Sequence, residues 1–103
     1  MPALKGMSRL GDITTGHGCH PPVIGATASP NVYVNNLPAH CATNTTVPHT
    51  CGGDPPHPDV YTLGSTLGSA KVMINGQQAM PIGGTLLPGG TVAEGSHNVF
   101  IGV

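Results

Sequence analysis

Charge is scarce in this sequence: three Lys and Arg and four Asp and Glu are spread over 103 residues, where an ordinary globular domain is roughly a quarter charged. Three basic residues cannot build the positive stripe that phosphates require, which excludes a nucleic-acid partner. A surface so poor in Lys and Glu suits a part held in a larger assembly better than a free monomer. Aromatic residues are almost absent, with no Trp, one Phe and two Tyr. That removes the stacked rings on which sugar-binding modules rely. No apolar run approaches the ~18 residues of a membrane helix, and Met1-Pro2-Ala3-Leu4-Lys5-Gly6-Met7 leads into no apolar signal-peptide core. The expectation is synthesis in the cytoplasm without a signal peptide, with any export by another route. No twelve-residue window carries a 3.6-residue apolar period, and Gly (16) and Pro (11) interrupt nearly every window. Helix is therefore not expected.

What the sequence does have is a phrase written three times: Ser29-Pro30-Asn31-Val32-Tyr33-Val34-Asn35-Asn36, Ser69-Ala70-Lys71-Val72-Met73-Ile74-Asn75-Gly76 and Ser96-His97-Asn98-Val99-Phe100-Ile101-Gly102. Each is a small polar lead-in, then a β-branched, a large and a β-branched residue, then a turn residue. Alternation puts Val32 and Val34, Val72 and Ile74, and Val99 and Ile101 on one face, the expected core, with Tyr33, Met73 and Phe100 opposite as packing residues. Asn35-Asn36 and Asn75-Gly76 are hairpin dipeptides, with return strands at Leu37–His40 and Gln77–Ile82. Ser8–Ile13 reads as the missing return strand of the third copy. These features predict one all-β domain over residues 1–103, built from three units that cannot bury their apolar faces alone. Connections run over about residues 14–28, 42–68 and 83–95. The first two, with their immediate neighbours, hold five of six His and all three Cys; the third is a Gly-rich return. An odd cysteine count in a reducing compartment favours metal binding over a disulfide framework.

Arg9-Leu10-Gly11-Asp12, the three strand phrases in register, Leu37-Pro38-Ala39-His40 and the closing Gly95–Gly102 together resemble the PAAR-repeat proteins over nearly the whole chain. The name motif has drifted: Pro38-Ala39-His40-Cys41 and Gln78-Ala79-Met80-Pro81 stand where Pro-Ala-Ala-Arg is usual. The resemblance implies a small pseudo-threefold cone of short β-hairpins with long loops and a metal near its apex. It implies a membrane-piercing tip that caps the trimeric β-helical spike of a contractile injection machine (type VI secretion, phage tail or tailocin), one copy per trimer, meeting a target membrane transiently and in some systems carrying effector proteins.

The residues themselves supply an argument for a metal. Where strands converge no apolar core can form, and an ion stabilises what burial cannot. His49, Cys51 and His57 offer three ligands within nine residues, and Gly52–Pro56 lets the chain double back. Imidazole with thiolate suits tetrahedral Zn²⁺, with iron second. A fourth ligand is expected from Gly16–Pro22. His17 is favoured because it is Gly-flanked and its phrase resembles the family's first loop; Cys19, His20 and His40 are the alternatives. The set His17, His49, Cys51 and His57 is the three-His, one-Cys set that the resemblance implies. Cys41 reads as a small buried residue and His97 as a surface His.

A closed four-ligand site is structural, so no enzyme activity is expected. The alternative is a metal-binding module or small metalloenzyme using the same cluster. With only Asp12, Asp54, Asp59 and Glu94 in the chain and no His-Glu-x-x-His phrase, a base beside the metal is hard to place.

Overall fold

The computed structural model describes residues 4–63 and 72–102. The lead-in Ser69-Ala70-Lys71 of the second repeat and Val103 lie outside them. The described chain is all-β. Eight short strands, β1 (Leu4–Gly6), β2 (Tyr33–Val34), β3 (Leu37–Pro38), β4 (Val60–Leu63), β5 (Met73–Ile74), β6 (Gln77–Gln78), β7 (Thr85–Leu87) and β8 (Phe100–Gly102), form four antiparallel pairs. Among the described residues there is no helix.

Three of the pairs are the three repeats. β2–β3 and β5–β6 are two-residue hairpins, with Val34 opposite Leu37 and Ile74 opposite Gln77. Their turns have left-handed backbone at both central positions, Asn35 and Asn36 in one, Asn75 and Gly76 in the other. Asn and Gly tolerate that conformation, which matches the twist of the strands they join. The third pair is β8 with β1, and Phe100 faces Gly6 as Tyr33 faces Pro38 and Met73 faces Gln78. The partner of the last repeat is thus Leu4–Gly6 rather than Ser8–Ile13. The reason lies in the next residues: Met7 and Arg9 bridge to Pro81 and Ala39 of the neighbouring units and are committed there.

Between units the backbone bonds run in closed cycles. Ser8 N–H donates to Met80 O, Met80 N–H to His40 O, and His40 N–H to Ser8 O. One step outward, Leu10 N–H donates to Pro38 O, Ala42 N–H to Gln78 O, and Ile82 N–H to Gly6 O. Every unit both gives and accepts, so each satisfies polar backbone groups that its neighbour alone would leave buried and unpaired. A turn follows each ring residue, with Asp12, Asn44 and Gly84 N–H donating to Arg9, Cys41 and Pro81 O, and with positive φ at Gly11, Thr43 and Gly83. Side chains link the units as well. Asn35 of the first turn donates to Asn98, and Asn75 of the second to Asn31.

Inside the ring, Val34, Ile74 and Ile101 meet Ala39, Ala79, Met7 and Cys41 in one cluster, with Val32 and Val99 against it. Burying each of the three β-branched side chains is worth about 1.5–3 kcal/mol. Val72 departs from this pattern and is exposed. Tyr33, Met73 and Phe100 do not pack into a core either: they are 58, 56 and 51% exposed. The inner face of each two-residue strand is already filled, and alternation turns the large residue outward.

Beyond the ring a second cluster of Tyr61, Met80, Leu86 and Val92 supports the fourth pair, β4–β7. That pair is drawn from the second and third connections, so the Gly-rich segment after Gly83 is a structural partner rather than a simple return.

Candidate metal centre

The first connection folds back on itself at Gly16–His20. His17 and His20 exchange backbone hydrogen bonds of 3.1 and 2.9 Å, and Gly18 takes φ +55° between them. At Gly16, a Cβ would sit 2.5 Å from the His20 carbonyl oxygen, so only glycine closes this loop. In the second connection His49 and His57 pair across a bridge, with backbone bonds of 3.0 and 3.2 Å. Asp59 follows His57 by two residues, which in extended chain returns its side chain to the same side. Thr46 holds it there: Thr46 Oγ1 accepts from Asp59 N–H at 2.9 Å, and Thr46 N–H donates to Asp59 O. The third connection contributes a wall, since a Cβ on Gly89 would meet the His17 side chain at 3.0 Å.

These pieces bring four donor atoms together. His57 Nε2 lies 3.2 Å from His17 Nε2 and 3.1 Å from His49 Nε2. Asp59 Oδ1 lies 3.0, 3.3 and 3.1 Å from the Nε2 atoms of His17, His49 and His57. Zinc–nitrogen and zinc–oxygen bonds of about 2.0–2.1 Å place tetrahedral ligands about 3.3 Å apart, so the spacing fits one ion at the centre.

The orientation and burial of the donors suit a cation. His49 Nδ1 sits 2.8 Å from the Pro21 carbonyl, to which it can only donate. That leaves Nε2 turned into the cluster, the arrangement of metal-bound imidazoles oriented by a carbonyl. Asp59 is completely buried, and its Oδ2 has no hydrogen-bond partner among the described residues. An isolated carboxylate in such a place is costly, and a metal offsets that cost. The cluster of His17, His49, His57 and Asp59 could bind a metal ion.

Of the four ligands expected from the sequence, His17, His49 and His57 lie together here. Cys51 does not join them: it is disulfide-bonded to Cys19, 32 residues earlier, with 5.4 Å between Cα atoms. Cys19 lies within the His17–His20 turn and Cys51 opens the turn that Asp54 N–H closes on its carbonyl, and their side chains meet each other beside the cluster. Asp59 fills the fourth corner and escaped the sequence reading. Its signal was the His57-Pro58-Asp59 spacing, which repeats that of His49-Thr50-Cys51.

The other candidates separate cleanly. His20 stacks beside the centre, 4.5–4.9 Å between its ring and those of His57, His17 and His49. Desolvation, then these neighbouring imidazoles, lower its pKa. His40 is remote from the cluster. It is fully buried in the ring, stacked on Tyr61 at 4.7 Å, with Nδ1 2.7 Å from Ser8 Oγ. Burial lowers its pKa to about 4, so it is neutral at physiological pH. Burial also raises the pKa of the Tyr61 hydroxyl and of the free, buried Cys41 thiol. His97 is exposed. No protein-family model and no curated protein matches this chain.

Proposed function

We propose that this chain is a structural piercing tip of a contractile injection machine, shaped as a pseudo-threefold cone whose apex is cinched by Zn²⁺ held on His17, His49, His57 and Asp59. The observation that carries the reading is the pair of three-membered backbone cycles through Ser8, Met80 and His40 and through Leu10, Pro38, Ala42, Gln78, Ile82 and Gly6. A single chain with three equivalent edges can sit on a true trimer with one copy. The three strand phrases, which resemble those of PAAR-repeat proteins, point to the same task.

The base of the cone is the hairpin end. Tyr33, Met73 and Phe100 stand at equivalent register positions and are exposed, as are Leu4 and Leu37. Charge-poor apolar surface repeated on each unit is what the centre of an interface needs. The open strand edges of a trimeric β-helix are a hazard until something covers them, and the three strand pairs would continue that ladder. On this reading the metal site, built from the connections rather than the hairpins, is the apex. Four protein donors close the coordination sphere, so the ion stabilises and does not catalyse.

The test is to mix the tag-free chain with the trimeric β-helical spike of the same cell or virion and weigh the complex by native mass spectrometry. One copy per trimer is expected, and Phe100→Glu abolishes it. Three copies per trimer, or no complex, contradicts the reading.

A further inference from the structure

Beside the imidazole cluster lies a second set of donors. Cys19 Sγ, Cys51 Sγ and a His20 ring nitrogen all lie within 4.8 Å of one another. Cys19 is exposed and Cys51 half-buried. The second observation is His20 itself: its Nε2 is buried and has no hydrogen-bond partner among the described residues. A buried polar nitrogen left unpaired needs an explanation, and a donor held ready for an ion that the reduced form binds supplies one.

We infer that Cys19, Cys51 and His20 form a redox-gated second metal site. In the dithiol form, two thiolates and one imidazole bind a thiophilic divalent cation such as Zn²⁺, and formation of the disulfide expels it. Two thiolates neutralise the ion and match its preference for sulfur and nitrogen. Three protein donors leave the fourth tetrahedral position to water, so this site is open where its neighbour is closed. Two 2.3 Å zinc–sulfur bonds hold their sulfurs ~3.8 Å apart, so the loops must separate slightly when the dithiol takes up the ion. Gly18 and Gly52, at φ +55° and +58° and with open space where a Cβ would stand, let both loops make that adjustment.

The gating step balances with a small-molecule disulfide as oxidant. The Cys19 thiolate attacks one oxidant sulfur and releases a thiolate, giving a mixed disulfide. The Cys51 thiolate then attacks Cys19 Sγ and releases the second thiolate. Two electrons pass from the cysteine pair to the oxidant, both ligands lose their charge, and Zn²⁺ leaves for solvent. A chain made in a reducing compartment carries the second ion, and one delivered to an oxidising compartment exchanges it for a covalent staple.

The experiment uses the full tag-free chain, loaded with zinc under a phosphine reductant, desalted, and split, with one half treated with oxidised glutathione. Zinc per chain is measured in both halves, and a Co²⁺-loaded sample reports thiolate-to-metal charge transfer. The expected result is about two equivalents falling to about one on oxidation, with loss of the charge-transfer band. Cys19→Ser and His20→Ala each bring the reduced protein down to one equivalent and remove the fall. The inference is overturned if reduced protein binds one equivalent and its charge-transfer band survives in Cys19→Ser, which makes Cys51 a ligand of the imidazole cluster. It is overturned equally if oxidation leaves zinc content unchanged, or if the fall persists in His20→Ala. The imidazole centre is read separately, from the equivalent retained after oxidation.

Discussion

His49 Nε2 lies 3.3 Å from Asp59 Oδ1, and both side chains are buried to 1% exposure. Nδ1 of the same ring faces the Pro21 carbonyl, which holds the ring with Nε2 aimed at the carboxylate. The pair makes physical sense around a cation. Asp59→Asn removes the charge while keeping the shape and is expected to weaken zinc binding at least tenfold. His49→Ala is expected to abolish it. Competition with a chromophoric chelator measures both.

With an ion bound as proposed, its removal from wild-type protein should cost several kcal/mol, because binding to the folded state alone is folding energy. For a domain of this size each kcal/mol moves the melting temperature by about 4–8 °C. A chelator should therefore lower the melting point by tens of degrees, read by scanning calorimetry.

His40 gives the fold an acid-sensitive element independent of metal. Its pKa is about 4 in the fold and about 6.5 in an unfolded chain. The fold favours the neutral ring, so this contribution is complete above pH 6.5. It disappears progressively as pH falls towards 4, where the unfolded chain takes up a proton that the fold refuses. The loss amounts to about 3 kcal/mol. Urea titrations across this window should show wild-type stability falling more steeply than that of His40→Gln.

Two backbone positions near His40 predict opposite signs. A Cβ on Gly25 would lie 2.2 Å from His40 Nε2 and 2.7 Å from the Tyr61 hydroxyl, in a stack with no slack. Gly25→Ala should cost about 3 kcal/mol. Thr43 is β-branched yet has φ +79°, in the turn where the equivalent units carry Gly11 and Gly83. Thr43→Gly should stabilise by about 1 kcal/mol. Equilibrium denaturation of the two variants checks both signs.

Much of this architecture is legible in the sequence because it is local. The alternation of Val32-Tyr33-Val34 and the Asn-Asn and Asn-Gly dipeptides specify hairpins within a few residues, and the structure has them. Leu4–Gly6 as partner of Phe100–Gly102 was not legible, because it depends on where Met7 and Arg9 bond across the ring. The same applies to the site. His49 and His57 are eight residues apart and are brought together by their own bridge, whereas His17 reaches them from the first connection, packed beside Gly89 of the third, which is long-range. The outward turn of Tyr33, Met73 and Phe100 was hidden because side-chain alternation does not say which face a neighbour covers.

That outward face predicts a separable defect. Asn36→Glu places charge in the exposed first turn, beside Asn35, which bonds to Asn98 and Ser96. If the chain caps a spike trimer as proposed, docking should weaken while zinc content stays unchanged, since Asn36 is not one of the four donors. Sedimentation of the mixed proteins together with elemental analysis of the chain alone separates the two effects.

X-ray absorption at the zinc edge on oxidised protein, purified without an affinity tag, tests the centre most directly. A closed shell of four nitrogen and oxygen ligands at about 2.0–2.1 Å, with about one zinc per chain, is the predicted result. Protein that folds and carries no zinc, or whose zinc is ringed chiefly by water, would contradict the account.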